Sequence, residues 1–289
     1  MRSFNGVSTS AKPGSTKSRA VTAGESRLLY AVSETALGSS RLEIVRLRGA
    51  QPATLLEGVW MAIETTILNY EVDRYPFLGI IQGYLGADRL DEIHEGTNHE
   101  LLTRERDQST EFHQAYYERF GEDFERIYKR LLAEVVRPFI GEDLVYQRIP
   151  TFRVHLPGNI AVGEFHRDRD YSHGEGEINF WLPLTRAWDT NAVWIESSEG
   201  AEDFRPYTVE VGQVLVFDGV NLAHGNKTNE TGKTRVSFDF RVIPRSQYKP
   251  RTNVSVNTGV KFEIGGYFAE LGPEAMALGS REDTPSAKA

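Results

Sequence analysis

The segment Glu164-Phe165-His166-Arg167-Asp168-Arg169-Asp170 places an imidazole and a carboxylate one residue apart. On a strand that spacing sends both side chains to the same face, so His166 and Asp168 can reach one ion together. Alone the pair is weak, because with seven His and 41 acidic residues in the chain an H-x-D triplet arises readily in a charged surface loop. A second imidazole, His224 in Asn221-Leu222-Ala223-His224-Gly225-Asn226, follows an apolar run. Two His and one carboxylate occupy one face of an octahedron and leave three adjacent positions open. Non-haem iron(II) needs those positions to bind a bidentate keto acid and then O2. Asp170 competes with Asp168 for the carboxylate role, and the one-residue spacing favours Asp168.

Ten residues separate His224 from Arg235, which begins the triplet Arg235-Val236-Ser237. A dicarboxylate co-substrate such as 2-oxoglutarate needs a fixed cation at its far end, and a guanidinium grips a carboxylate in a two-point fork. Arg235 is favoured for that position, with Ser237 able to hydrogen-bond the same carboxylate. Arg241 shares its strand face and is the alternative anchor, or else binds substrate. By the same parity Asn179 is expected to contact 2-oxoglutarate and Trp181 to wall the substrate pocket. Arg153 and His155 alternate with apolar neighbours on a nearby strand and are expected to line that pocket; as paired structural groups they would have the same pattern. His173, in a Gly-rich loop, is a candidate lid residue. His94, His99 and His113 have helical or loop contexts and read as surface residues.

These groups need strands to hold them. From Leu144 onward the apolar period is two, with candidate strands over 144–156, 160–166, 177–185, 192–196, 207–211, 213–217 and 233–243. Val236, Phe238, Phe240 and Val242 fall on one face of the last, and Arg235, Ser237, Asp239 and Arg241 on the other. Helices covering the apolar face would turn the polar face inward, where it suits a site. Upstream, residues 53–70 and 110–140 have helical spacing, the second interrupted by Gly121 and closed by Pro138 and Gly141. Helices first and strands afterwards predict a mainly β fold with flanking helices, a jelly roll with helices packed on its outer face. We expect one domain over 28–278, with its jelly-roll core at about 144–246, and polar unstructured tails at 1–27 and 279–289.

Composition narrows the functional classes. The net charge of −8 argues against a nucleic-acid partner, which requires clustered Lys and Arg. With no cysteine, disulfides, thiolate metal sites and Cys nucleophiles are excluded. No apolar run reaches the roughly 18 to 20 residues that span a bilayer, so a soluble, cytoplasmic protein without a membrane partner is expected. Residues 1–27 are rich in Ser, Thr and Ala and carry five basic residues against Glu25. That composition resembles a transit peptide, although an unstructured tail is favoured.

From about Thr151 to Pro244 the sequence resembles the Fe(II)/2-oxoglutarate oxygenase superfamily with its double-stranded β-helix, whose signature is H-x-D, a distal His and an Arg for the co-substrate. The stretches EFHRDRDYSH, INFWLPLT, LAHGN and TRVSFDFRVIP are similar in particular to bacterial streptomycin-biosynthesis-type oxygenases of natural-product pathways. The resemblance implies that His166, Asp168 and His224 bind iron(II), that Arg235 binds 2-oxoglutarate, and that O2 drives hydroxylation, desaturation or ring closure of a small molecule. Halogenating relatives replace the carboxylate ligand with a small residue, so Asp168 favours hydroxylation. Inward groups of both signs, Arg153, Glu164 and Arg241, suggest a small polar substrate such as an amino acid or amino sugar derivative. A non-catalytic sugar-binding jelly roll and a keto-acid-independent iron enzyme are the rival readings.

Overall fold

The computed structural model describes the strand residues 17–23, 26–34 and 40–42, then residues 63–95, 109–160, 164–255 and 259–272. The chain forms two units, Met1–Met61 and Ala62–Ala289. In the first, β1 (Lys17–Ala23), β2 (Ser26–Glu34) and β3 (Ser40–Leu42) form an antiparallel sheet in that order. Strand β1 lies inside the segment whose composition suggested a tail. The expected tail at 279–289, His99 and most of the helix expected over 53–70 lie outside the described residues.

The second unit begins with β4 (Thr66–Asn69), α1 (Phe77–Leu85), α2 (Glu111–Arg119), α3 (Glu122–Leu131) and α4 (Arg137–Ile140). After them come β5 (Leu144–Gln147), β6 (Thr151–His155), β7 (Ile178–Pro183), β8 (Trp194–Ile195), β9 (Arg205–Pro206), β10 (Gln213–Phe217), β11 (His224–Gly225), β12 (Arg235–Pro244) and β13 (Phe268–Glu270). The large sheet is antiparallel and runs β13-β5-β12-β7-β10-β4, with β6 also paired to β12. A small sheet of order β11-β8-β9 is extended by a bridge between His166 and His224. From β6 onward the chain therefore alternates: β6, β7, β10 and β12 in the large sheet, and His166, β8, β9 and β11 in the small one.

The inverted face of β12 is borne out. Phe238 and Phe240, both fully buried, meet Phe77 of α1 at 5.1 Å and Phe124 and Tyr128 of α3 at 5.4 and 5.0 Å between ring centroids. Tyr116 of α2 stacks on Phe152 of β6 at 4.6 Å. Each such ring contributes roughly 1.5 to 3 kcal/mol by leaving water, so the helices bind to the apolar face and the polar face turns away from them. There Trp181, Leu215 and Phe217 pack against Val193, Ile195 and Val209 and carry the small sheet. The cleft between the sheets receives Asn179, Arg235, Ser237, Asp239 and Arg241.

Several local expectations are corrected. Thr66–Asn69 is strand, because β10 offers it a free edge at 213–216; pairing overrides the helical spacing. The expected strand 144–156 is two strands, broken where Pro150 has no N–H to donate and the Gln147 amide bonds the Ile149 carbonyl at 2.7 Å. The expected strand 160–166 has a single bridge, at His166, among its described residues, and Tyr207–Val211 has one at Val209. The helical region 110–140 does split at Gly121, but Pro138 opens α4 after a π-helical turn over Leu132–Val136. Gly141, at φ 85°, ends it. Neither α1 nor β13 was anticipated.

Candidate metal centre

His166 and His224 exchange backbone hydrogen bonds of 3.0 and 2.9 Å, so the two imidazoles leave adjacent strands side by side, with ring centroids 4.6 Å apart. Each ring is set the same way. His166 Nδ1–H donates to the Glu164 carbonyl at 2.8 Å, and His224 Nδ1–H to that of Leu222 at 3.0 Å. A bonded Nδ1–H leaves the lone pair on Nε2. Both Nε2 atoms face Asp168 Oδ1, at 3.6 and 3.7 Å, and the three ligand atoms all lie within 4.8 Å of one another.

Asp168 is buried in a 3-10 turn, its N–H bonded to the Gly219 carbonyl at 2.8 Å. A side chain at 219 would collide with the Asn179 amide, which is why glycine stands there. Asp168 Oδ2 accepts Asn179 Nδ2 at 2.8 Å and Arg241 Nε and Nη2 at 3.0 and 2.8 Å. Its far oxygen is thus held by three donors, while Oδ1 faces the imidazoles. Burial alone would push this carboxyl up; the Arg241 charge, aided by His166 and His224, overrides that and holds it well below the usual range. Burial lowers His224 to about 4, against the pull of Asp168. At neutral pH the set is one carboxylate and at least one neutral imidazole, donors suited to a divalent first-row ion. Asp170 is exposed and accepts from the Arg167 N–H, and it is Asp168 that faces the two imidazoles.

Arg235 lies further along the same inner face and is 1% exposed. Its Nη1 donates to Asn226 Oδ1 at 2.8 Å and to the Asn191 carbonyl at 3.0 Å, which ties it to the segment that carries His224. Trp181 lies beneath its guanidinium, 5.4 Å from carbon to ring centroid, and packs into the apolar cluster. His155 is its cross-strand partner and bonds the Asn159 carbonyl at 2.8 Å. Ser237 Oγ, buried two residues along, has no hydrogen-bond partner among the described residues. An orphaned buried hydroxyl beside a buried cation fits an anionic group that would satisfy it.

The expectations for Asn179 and Arg241 change. Both were placed on co-substrate or substrate; instead the Asn179 amide N–H and two of Arg241's donors go to Asp168. A cavity of about 660 Å³ opens beyond Arg241, with Arg153 and His173 in its lining. His173 is held by Glu177 at 2.6 Å. His113, read as a surface residue, is buried and bonded to Thr110 at 2.8 Å, and His94 bonds Thr234 at 2.7 Å. The sequence reading missed Glu196, which is fully buried and accepts from Arg167 Nη2 at 3.0 Å and from the Ala223 N–H at 2.7 Å. It therefore joins Arg167, between two of the candidate ligands, to Ala223, the residue before the third. A lone Glu at a strand end carries no sequence signal for that role.

No family model matches the chain. The streptomycin biosynthesis protein StrG of Streptomyces griseus is 41% identical over 207 residues, covering 70% of this chain and 96% of that protein. Among solved structures, EctD from S. alaskensis with 2-oxoglutarate and 5-hydroxyectoine matches at 17% identity and a TM-score of 0.44, covering 70% of this chain and 76% of that one. The non-heme monooxygenase ThoJ in a nickel complex matches at 14% identity and a TM-score of 0.43, covering 76% and 89%. Those two likenesses are too loose to bear on the chemistry.

Proposed function

The chain belongs to the family of the streptomycin biosynthesis protein StrG, and from that premise and the geometry of the centre we propose that it is an iron(II)- and 2-oxoglutarate-dependent oxygenase acting on a small polar natural-product precursor. One observation carries the reading: two Nε2 lone pairs and one carboxylate oxygen converge, with a buried guanidinium and an orphaned hydroxyl further along the same cleft. In this reading the two sheets are the halves of a double-stranded β-helix, supported by the alternation of strands between them.

Iron bound with 2-oxoglutarate and O2 supplies an oxidant able to break a C–H bond, with succinate and carbon dioxide as co-products. The chain's own part is to hold and exclude. His166, Asp168 and His224 would hold the ion, and Arg241 and Asn179 keep Asp168 ionised with one oxygen turned to it. Arg235 and Ser237 would hold the far carboxylate of 2-oxoglutarate, and Trp181, Leu215 and Phe217 keep water from that end of the cleft. Asp168 supports hydroxylation over halogenation, since its carboxylate takes the position a halide would need. Action in the cytoplasm belongs to the same proposal.

The test is anaerobic addition of iron(II) and 2-oxoglutarate to the folded protein. We expect the weak visible charge-transfer band of the chelate; its absence would favour a binding module or an iron enzyme that uses no keto acid.

A further inference from the structure

The cavity beyond Arg241 is lined by Tyr117, Arg148, Arg153, His173, Arg241 and Tyr267, among others, with no Asp or Glu among the described residues that line it. Its volume, about 660 Å³, is ordinary for a site that encloses a small molecule. The three guanidiniums are not equivalent. Arg241 is committed: Nε and Nη2 bind Asp168, and Nη1 faces Gln147 Oε1 and Asp239 Oδ2, each at 3.5 Å. Arg148 donates Nη1 to the carbonyls of Gly265 and Gly266 at 3.1 and 3.3 Å at the rim.

Arg153 differs. Its Nε is anchored to Asp239 Oδ1 at 2.8 Å, and its two terminal nitrogens make no hydrogen bond among the described residues. The side chain keeps 20% exposure. Asp239 and Asp168, the carboxylates that balance these cations, do not line the cavity. The cavity therefore presents the positive ends of its ion pairs, while the negative ends lie behind them. A guanidinium fixed through Nε with its remaining donors open is prepared for a two-point grip on an oxyanion.

We propose that Arg153 is a substrate-binding residue and that the substrate is an anion, carrying a carboxylate or phosphate that Arg153 grips while the rings of Tyr117, Tyr267 and His173 enclose its body. This deepens the proposed function and rests on it for the cavity's being the substrate site. It turns the expectation from the sequence, an amino sugar or amino acid derivative, toward the anionic end: an amino sugar with no acidic group would meet Arg153 as a like charge.

Isothermal titration calorimetry on the full, iron-free chain tests it, with glucose 6-phosphate, gluconate, glucose and glucosamine as probes. At least one of the two anions should bind about tenfold or more tighter than glucose, and glucosamine no tighter than glucose; which anion is preferred distinguishes phosphate from carboxylate. Arg153→Gln should bring the anion to the level of glucose. Arg153→Lys, which leaves a cation beside Asp239 and so protects the fold, should retain only part of the preference. Equal binding of anions and glucose, tightest binding of glucosamine, or anion binding that neither variant changes would overturn the proposal. Failure of the oxygenase reading would appear separately, as a missing chelate band in protein that still prefers anions.

Discussion

Asp168 divides its two oxygens between different tasks, and the consequences can be separated by substitution. Oδ1 faces both imidazoles, and Oδ2 takes one amide and two guanidinium donors. We expect His166→Ala and Asp168→Ala to abolish iron binding and turnover, measured by metal content after dialysis and by succinate release. Arg235→Ala should leave iron binding intact and weaken 2-oxoglutarate by about 100-fold, the loss expected for a two-point, charge-assisted contact of ~3 kcal/mol. Arg241→Ala should do the opposite, lowering metal affinity by roughly 10- to 100-fold with little direct effect on the co-substrate. Titration of each ligand into both variants decides, and the reverse pattern would exchange the two assignments. His166, Asp168 and His224 were legible as candidate ligands because metal chemistry restricts residue type. The contrast between Arg235 and Arg241 was not, because both are arginines on one strand face and only their neighbours separate them.

Strand β12 shows how an element with two unlike faces sets the centre. Its apolar side carries the aromatic seam with α1 and α3, and its polar side carries the residues of the cleft. Phe238→Ala should cost about 3 to 5 kcal/mol of stability, read as a lowered urea midpoint, while a folded fraction still binds iron. A drop in iron affinity matching the loss of stability would mean the two faces are not separable. The period of two in β12 was readable because one face lies on the helices and the other carries polar residues. Strand β10, by contrast, is apolar on both faces, because Val214 and Val216 pack in the helix-side core and Leu215 and Phe217 in the cluster beneath the small sheet. Helix α1 escaped notice because Phe77–Leu85 is short, contains two glycines and is mostly apolar, so no polar stripe marked its outer side. Thr66–Asn69 was misread because strand pairing is a contact with residues 144 or more positions away.

Across the whole molecule, burial holds several histidines neutral. His113 and His224 are lowered to about 4 and His155 to about 3, in each case chiefly by desolvation. Unfolded histidine takes a proton near 6.5. Between that value and the lowered ones the unfolded state binds more protons, so stability rises with pH there and is lost on acidification. We expect the urea midpoint to fall steadily from about pH 6.5 toward about pH 4, by roughly a few kcal/mol of stability per histidine, and to be flat just above that range. A midpoint unchanged down to about pH 5 would contradict it. Asp168 and Glu177, both held low in the fold, add losses of the same sign under more acidic conditions. The sequence by itself determined the candidate ligand set, the order of the strands that carry it and the inward turn of a polar face, because metal chemistry and pleat periodicity are local properties written in residue type and spacing. Only the tertiary structure decided which oxygen of Asp168 faces the imidazoles, which arginine holds the other, and which arginine keeps its terminal donors open toward the cavity. Those outcomes depend on hydrogen bonds between residues as far apart in sequence as Asp168 and Arg241, and on which charges burial leaves facing the empty space.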